Sequence, residues 1–324
     1  MADVGFWAMA LAGIVSAYTV AALLMSVRLH SRAWQESARN GVIIASASST
    51  ISLLILAYLL ISRDFSILYV AEHVDTQLSL VYTVSALWAG QEGSLLLWLW
   101  LLTCMGVGLT SQRPTIGEPL APYALAVVGA AQAFLAMVLL LASNPFAKAG
   151  VALPEGYGLN PLLQNAWMIA HPPAVFAGYA AYTIPFALAI GGLAAGRMDH
   201  AWLALVRRWA LMAWILLGAG ILMGAWWAYQ ELGWGGYWGW DPVENSTLVP
   251  WLTGTALLHS LMVQERRGGL VLWNLWLMVL TFCLCNLATF ITRSGIIQSV
   301  HAFSQSNLGY YFSVLILFCL LGSA

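Results

Sequence analysis

The chain has 324 residues, of which 61% are hydrophobic and only 8% are charged, and its mean hydropathy of +0.81 lies above the range of soluble domains. Its formal net charge is -1 and it has no long run of basic residues, which excludes nucleic acid as a partner. These properties predict an integral membrane protein.

Nine apolar stretches are each about long enough to cross a hydrocarbon core of about 30 Å, and they predict an all-α, polytopic transmembrane helix bundle. The predicted spans are 5–27, 42–62, 93–110, 121–143, 174–195, 209–228, 246–263, 270–291 and 309–324. We interpret residues 1–324 as a single membrane domain whose first span is not a cleaved signal peptide. The last span is short and lacks a basic anchor, which predicts truncation at the C-terminus.

The loops between these spans differ in charge, with nine arginines on one side and three basic residues on the other. The nine are Arg28, Arg32, Arg39, Arg113, Arg197, Arg207, Arg208, Arg266 and Arg267, and the three are Arg63, Lys148 and Arg293. Because basic residues favour the cytoplasmic side, the N-terminus is predicted to lie outside. Four longer segments then lie outside as well: 63–92, 144–173, 229–245 and 292–308. The first of them is predicted to lie in the interface or to fold over the outer face.

The loop 229–245 is the part of the chain that membrane insertion alone does not explain. Its centre reads WGGYWGWDPVE and interleaves aromatic rings with bare backbone: Trp234, Gly235, Gly236, Trp238 and Trp240. Tryptophan is typical of membrane interfaces, and we assign Trp226 and Trp227 to such an aromatic belt. Glycine costs backbone entropy and is used where the backbone must approach another group. We therefore interpret the loop as a platform for a large flat ligand, with an aromatic belt as the alternative.

Three short proline-containing motifs in the outer segments indicate where helices begin. Asp241 is predicted to be an N-cap, followed by Pro242 at the first helical position and Glu244 as its capping-box partner. Asn160 before Pro161, and His171 before two prolines, have the same pattern because proline is tolerated in a first helical turn. This places His171 at the outer mouth of the fifth span.

Two of the six histidines, His171 and His301, precede spans in outer segments on either side of the Trp-rich loop. We predict that they are two axial ligands above an aromatic floor, with ordinary helix caps as the alternative. The positive end of a helix dipole helps to keep His171 neutral and able to bind a metal. Two histidines without cysteine or clustered carboxylates favour haem over zinc.

His259 lies about 13 residues into the seventh predicted span, where an ionisable side chain is costly. We expect it to face the bundle interior with a partner. Ligation of a buried haem and a hydrogen bond to Ser260 or to a neighbouring helix remain equal alternatives. A haem between two helices needs a second ligand, and no other histidine lies inside a predicted span.

The motifs together resemble those of a known family. The run WGGYWGWDPVENSTLVPWL is similar to the WWD signature of haem-handling proteins. With SALWAGQEGSLLLW, the AHPP at 170–173 and TRSGIIQSVHAF, the chain resembles the N-terminal portion of the CcmF family of cytochrome c-type biogenesis haem lyases. The resemblance extends from about residue 73 to residue 303.

This resemblance implies a protein of the bacterial inner membrane whose N-terminus and WWD loop face the periplasm. It implies that His171 and His301 bind the iron of a haem received from a haem chaperone, and that His259 binds a transmembrane haem b whose second ligand is absent from this chain. The implied platform is Trp234, Gly235, Gly236, Trp238, Trp240 and Asp241. Haem is then joined to the CxxCH cysteines of apocytochrome c, with other maturation subunits as partners and quinol as the source of electrons.

Two further interpretations remain open. One is a haem transfer or transport module with a WWD loop and without lyase activity, although smaller relatives of that kind are not expected to carry the QEGSLLLW segment. The other is a nitrite reductase-specific paralogue. A respiratory b-type cytochrome subunit is disfavoured because paired histidines inside spans are not found.

Overall fold

A computed structural model describes residues 1–112, 117, 119–151, 153–297, 299 and 308–322. Eleven α-helices account for most of this part of the chain. They are α1 Ala2–Leu29, α2 Arg32–Ile61, α3 Leu68–His73, α4 Leu80–Ser85, α5 Gln91–Ser111, α6 Leu120–Ala142, α7 Ala166–Ala195, α8 His200–Glu231, α9 Pro242–Arg267, α10 Val271–Arg293 and α11 Leu308–Gly322. Short 3-10 turns cover Ala86–Trp88 and Pro161–Leu163.

Each of the nine predicted spans coincides with one helix over the described residues, apart from a single residue at one end of 42–62, 121–143 and 270–291, which confirms the all-α membrane bundle. Among the described residues, seven helices are long and apolar enough to cross a membrane: α1, α2, α5, α6, α7, α8 and α10. Helix α9 has 26 residues and is less apolar, while α11 is described over 15 residues. The chain is therefore a multi-pass membrane protein.

Several helices extend beyond their apolar cores because capping groups lie outside them. Helix α8 begins at His200, nine residues before its predicted span, since the Asp199 carboxylate accepts the Trp202 backbone N–H at 2.9 Å. That hydrogen bond is the main reason why the pKa of Asp199 lies below its usual value. A different helix, α9, ends at Gly268, which adopts the left-handed conformation that commonly terminates helices.

Helix α7 lies at the centre of the bundle, with 78% of its most apolar stretch buried. It packs closely against α8 because small residues allow the two backbones to approach. A Cβ on Gly178 would lie 2.8 Å from the Leu217 Cα, and a Cβ on Gly220 would lie 2.7 Å from a Val175 methyl carbon. Such contacts between small residues are typical of helix pairs in membranes, where packing drives association.

One end of the bundle carries the segments 62–90, 143–165 and 232–241, and we call it the long-loop end. The segment after α6 folds over α3 there, as the Tyr157 N–H donates to the Ala71 carbonyl at 2.7 Å and the Leu68 N–H donates to the Ala147 carbonyl at 2.8 Å. The Glu155 carboxylate also accepts the Thr76 hydroxyl and N–H. These bonds lower the pKa of Glu155. They also hold the segment after α6 in place over α3, and we call this segment the cover.

Candidate functional site

A cleft opens at the long-loop end between α5, α7, α9 and α10. Its empty space is about 910 Å³ when the open mouth is included. A smaller cavity of about 380 Å³ lies beside it. Four residues line both spaces: His171, Trp227, Val243 and Thr247. His171 therefore lies at the junction of two cavities in the described part of the chain.

The structure corrects the predicted start of the helix that carries His171. Helix α7 begins at Ala166, where the Asn165 side chain caps it by accepting the Trp167 N–H at 2.8 Å. His171 is the sixth residue of the helix, and Pro172 and Pro173 lie inside it. Because the dipole effect falls off within the first turn, it does not explain a neutral imidazole here.

A hydrogen bond to a backbone carbonyl prepares His171 for metal binding instead. Its Nδ1 lies 2.7 Å from the Gly220 carbonyl oxygen on α8. A carbonyl only accepts, so Nδ1 carries the proton and Nε2 keeps its lone pair in the neutral ring. Metal-binding histidines use this arrangement, in which the outer hydrogen bond fixes both tautomer and ring orientation.

Helix α8 accommodates the imidazole because it presents glycine there. A Cβ on Gly224 would lie 2.5 Å from Cε1 of His171 and 2.7 Å from Nδ1. Real Cβ atoms do not approach so closely, so any larger residue displaces the ring. Gly220 and Gly224 are thus a bare surface of α8 on which His171 rests, and sequence patterns alone did not single them out.

Pro172 connects the cleft to the segment before α5. Proline lacks an N–H, so the Met168 carbonyl four residues earlier receives no helical hydrogen bond from it. The indole Nε1 of Trp88 lies 3.4 Å from that oxygen and donates to it. Trp88 also lines the cleft. Two motifs that are 80 residues apart in sequence thereby meet in one wall.

The WWD loop lies beside this junction and is fixed by its own backbone. The Trp234 ring lies over Gly239, where a Cβ would be 2.8 Å from the indole, and its Nε1 donates to the Gly236 carbonyl at 3.0 Å. Gly235 has φ 68° and Trp240 has φ 56°, which is the left-handed region. The backbone of Trp240 is therefore strained, and 72% of the residue's surface is exposed, so its ring is accessible.

Trp238 is the ring of the loop that faces inward. It lines the smaller cavity and makes an edge-to-face contact with Trp240 at 6.4 Å between ring centroids. Its Nε1 is buried and has no hydrogen-bond partner among the described residues. A buried indole N–H without an acceptor is costly, so a ligand group that accepts it would offset this cost.

The predicted capping box is confirmed. The Asp241 carboxylate accepts the Val243 N–H at 2.9 Å, and the Glu244 carboxylate accepts the N–H groups of Asp241 at 3.3 Å and Gly239 at 2.8 Å. These bonds fix the end of the WWD loop to the start of α9. The Ser299 hydroxyl also donates to Asp241 at 2.6 Å. His301, two residues further, lies outside the described residues.

His259 is not in the bundle interior, in contrast to the prediction. It lies on an exposed face of α9, and its Nδ1 is 2.8 Å from the Thr255 carbonyl oxygen one turn earlier. The Ser260 hydroxyl, the predicted alternative partner, is buried without a hydrogen-bond partner in the described part of the chain. The prediction failed because every face of α9 carries both polar and apolar residues. The sequence of the helix therefore does not indicate which face is buried.

Two further cleft residues differ from expectation or were missed. Trp227 was assigned to an interfacial belt, but it is only 2% exposed, donates to the Leu162 carbonyl at 2.9 Å and lines both cavities. Trp226, by contrast, is exposed. Arg293, the last residue of α10, is buried in the cleft wall. The sequence feature that could have indicated Arg293 is its position at the end of an apolar run and inside the motif TRSGIIQSVHAF.

The fold and the site together define a multi-pass membrane protein with a histidine-containing cleft at one end, rimmed by tryptophan. The model of the family described as Cytochrome C assembly protein matches residues 88–298, which include the cleft and the WWD loop. The chain therefore belongs to the cytochrome c assembly protein family, as a relative of CcmF.

Individual relatives support this membership. CcmF of Haemophilus influenzae, a cytochrome c-type biogenesis protein, is 44% identical over 267 residues, which are 82% of this chain and 41% of the relative. CycK of Bradyrhizobium diazoefficiens is 40% identical over 324 residues, 100% of this chain and 49% of the relative. NrfE of Escherichia coli, a probable biogenesis protein, is 42% identical over 282 residues, which are 87% and 51% of the two chains.

A solved structure of the cytochrome c heme lyase CcmF is similar in fold. It superposes with a TM-score of 0.83 at 32% identity, covering 99% of this chain and 51% of that chain. The chain thus spans about half the length of the relatives it matches.

Proposed function

We propose that this chain binds haem in the cleft and presents it for covalent attachment to apocytochrome c, as part of a cytochrome c haem lyase. The observation that carries the proposal is the tautomer of His171. Its protonated Nδ1 is held by the Gly220 carbonyl, and the ring lies at the junction of the two cavities. An imidazole held in this way is ready to bind iron through Nε2.

The surrounding residues fit a porphyrin. The cleft is lined largely by apolar and aromatic side chains, as cofactor sites usually are. Trp238 offers a buried N–H, and Trp240 offers an exposed ring. In the proposal Trp234, Gly235, Gly236, Trp238, Trp240 and Asp241 form and hold the platform. His301 is the second axial ligand, and the bond between Ser299, two positions earlier in the sequence, and Asp241 of the WWD loop supports this assignment.

The haem is a substrate, delivered by a haem chaperone on the periplasmic side and received together with the apocytochrome and other maturation subunits. In thioether formation a cysteine S–H adds across each vinyl group, so that sulfur bonds one carbon and the proton goes to the other. The chain contributes by positioning the two reactants, since holding them together offsets much of the entropic barrier. We assign no general acid or base among its residues.

A binding experiment tests the proposal. His171→Ala and His301→Ala are expected to lose most of the haem that copurifies with the protein and to change the optical spectrum of the remainder. His200→Ala is the matched control, because His200 begins α8 at the opposite end of the bundle. Unchanged haem content and spectrum in both variants would contradict the assignment of the axial ligands.

A second experiment separates a lyase from a haem transfer module. The full-length protein is copurified with the holo-chaperone and an apocytochrome bearing CxxCH. The proposal predicts thioether-linked product, which resists acid–acetone extraction. Haem transfer without any linked product would support the transfer module, and exclusive action on a nitrite reductase-type substrate would support the specialised paralogue.

His259 carries a second proposed site, a transmembrane haem b. Its Nδ1 is bonded to the Thr255 carbonyl, which leaves Nε2 for a metal, and it lies on an exposed face of α9 that another helix can cover. The second ligand comes from outside this chain. The proposed role is electron transfer from quinol to the cleft haem, so His259→Ala should impair cytochrome c maturation less when reductant is added. An equal defect with and without reductant would remove the support for this role.

A further inference from the structure

Arg293 is a buried cation in the wall of the cleft that His171 shares. It is only 6% exposed. Its Nη1 donates to the Gln91 carbonyl at 2.9 Å, and its Nη2 donates to the Ser94 hydroxyl at 2.7 Å. Its Cζ lies 5.7 Å from the centre of the Phe176 ring. The guanidinium is therefore fixed from two sides, by α5 and α7, and is not a mobile surface group.

A charge in this position calls for an explanation. Burying a guanidinium is costly, and burial is maintained only where hydrogen bonds or an opposite charge offset the cost. The carboxylate of Glu92, in the first turn of α5, acts on Arg293 electrostatically. A purely structural role as the counter-ion of Glu92 is thus the competing explanation. That role, however, gives no reason for the arginine to line the cleft.

The position of Arg293 relative to His171 follows from helix α7. Phe176, beneath the guanidinium, comes five residues after His171, and this corresponds to a rise of about 7.5 Å along the helix axis. Measured along α7, Arg293 therefore lies about one to two turns further from the start of the helix than His171. A flat ligand held by His171 and extending along α7 would meet the guanidinium at its far edge.

The Ser94 hydroxyl itself donates to the Gln91 carbonyl at 2.9 Å, so its role is to position the guanidinium. We propose that Arg293, held in place in this way, forms a carboxylate-binding subsite in the cleft wall beside Phe176. The proposal rests on the proposed function, in which the carboxylates are the haem propionates. Guanidinium groups bind carboxylates through strong paired hydrogen bonds. Propionates and vinyls lie on opposite edges of the porphyrin. Propionates held at Arg293 leave the vinyl groups at the mouth, where the cysteines of an apocytochrome arrive.

The test compares two ligands that differ only in the carboxylates. The detergent-purified protein is titrated with haem and with haem dimethyl ester, in which both propionates are esterified. We expect the wild type to bind haem about tenfold or more tightly than the ester, the usual effect of a charged hydrogen bond. Arg293→Gln should lose this preference by weakening haem binding alone, and Arg293→Lys should keep part of it.

Two further variants control for folding. Arg63→Gln removes an arginine of the long-loop end that donates to the Asp75 and Leu78 carbonyls outside the cleft, and it should keep the wild-type preference. Ser94→Ala retains the charge and should reduce the preference about threefold to fivefold, so it carries the test if Arg293→Gln does not fold. A full preference for haem in both Arg293→Gln and Ser94→Ala, or equal weakening of both ligands, would overturn the proposal.

The subsite and the proposed function fail in different ways. If His171→Ala binds both ligands as the wild type does while Arg293→Gln removes the preference, the axial ligand is wrong and the subsite stands. If His171→Ala loses both ligands while Arg293→Gln keeps the preference, the subsite is wrong and the proposed haem site stands.

Discussion

His171 and His259 have the same hydrogen-bond pattern in two different surroundings. Each has Nδ1 bonded to a backbone carbonyl, at 2.7 Å to Gly220 for His171 and at 2.8 Å to Thr255 for His259. His171 donates to a carbonyl of the neighbouring helix α8 and lies between two cavities, whereas His259 donates to a carbonyl of its own helix and is exposed.

The two histidines therefore differ in how much of their surroundings the described residues supply. The surroundings of His171 come from α5, α7, α8, α9 and the WWD loop, all within the described residues. At His259 the hydrogen bond to the Thr255 carbonyl fixes the tautomer, but the side chain is exposed on a face of α9 that the described residues do not cover. We therefore expect the cleft to bind haem in this chain and the His259 site to require a further helix.

The largest effect is expected from filling the surface on which His171 rests. Gly224→Val places carbon where the imidazole lies, and overpacking of this kind costs about 1–3 kcal/mol. We expect haem affinity to fall about tenfold or more and the axial-ligand spectrum to change. Gly269→Ala is the control, because a Cβ there meets no atom within 4 Å. Normal haem binding by Gly224→Val would show that His171 need not occupy its present position.

The next effect separates the two histidines directly. His259→Ala should leave the haem content and spectrum of the cleft in this chain unchanged, since His259 lies on a separate exposed face. The measurement is the optical spectrum of the purified protein beside that of His171→Ala. A similar loss of haem in both variants would contradict the separation of the sites.

Trp238 is expected to have a moderate effect. Trp238→Phe keeps a ring in the smaller cavity and removes the buried N–H that has no partner among the described residues. If a ligand accepts that N–H, haem affinity should fall about threefold to fivefold, the usual contribution of one neutral hydrogen bond. Trp273→Phe, a change in an exposed ring of α10 outside both cavities, is the control. Equal affinity of Trp238→Phe and the wild type would show that the indole N–H makes no ligand contact.

The helix cap should affect stability more than chemistry. Asp241→Ala removes the bonds to Val243 and Ser299, and the loss of an N-cap costs about 1 kcal/mol. The expected outcome is a lower thermal midpoint and a looser WWD loop, detectable as faster hydrogen exchange at residues 234–241. Asp241→Asn, which can still cap, should restore most of the stability. An unchanged midpoint for Asp241→Ala would contradict this role.

The smallest effect concerns the cover over α3. Hydrogen bonds from Thr76 lower the pKa of Glu155 in the folded protein. The contribution of this contact is therefore present above the ordinary pKa of a glutamate and is lost as the pH falls through the lowered value. Glu155→Gln should show a weaker acid dependence of hydrogen exchange at Thr76 and Tyr157. An identical pH dependence in both proteins would contradict the contact.

Much of the fold follows from the sequence because membrane spans depend on local composition. Each of the nine stretches coincides with one helix to within a residue at its described ends, and the Asp241–Glu244 capping box formed as predicted since each of its bonds is local. The predicted start of α7 at His171 was wrong because a second capping residue, Asn165, lies six residues earlier in the sequence. Asn165 provides the actual cap, and the carbonyl left by Pro172 is satisfied by Trp88 from a distant segment.

The candidate site was less predictable because it depends on contacts between helices. Trp227 and Trp226 are adjacent in sequence, yet one is buried in the cleft and the other is exposed. The importance of Gly220 and Gly224 arises only when His171 lies against α8. Likewise, which face of α9 is covered depends on packing partners and not on the residues of α9 alone.

The most direct test of the central claim is the spectrum of haem bound to His171→Gly with and without added imidazole. We predict that the variant loses the low-spin spectrum of the wild type and that imidazole, which fits the space left by the side chain, restores it. His73→Gly should be indifferent to imidazole. A wild-type spectrum of His171→Gly in the absence of imidazole would contradict the claim that His171 binds the haem iron.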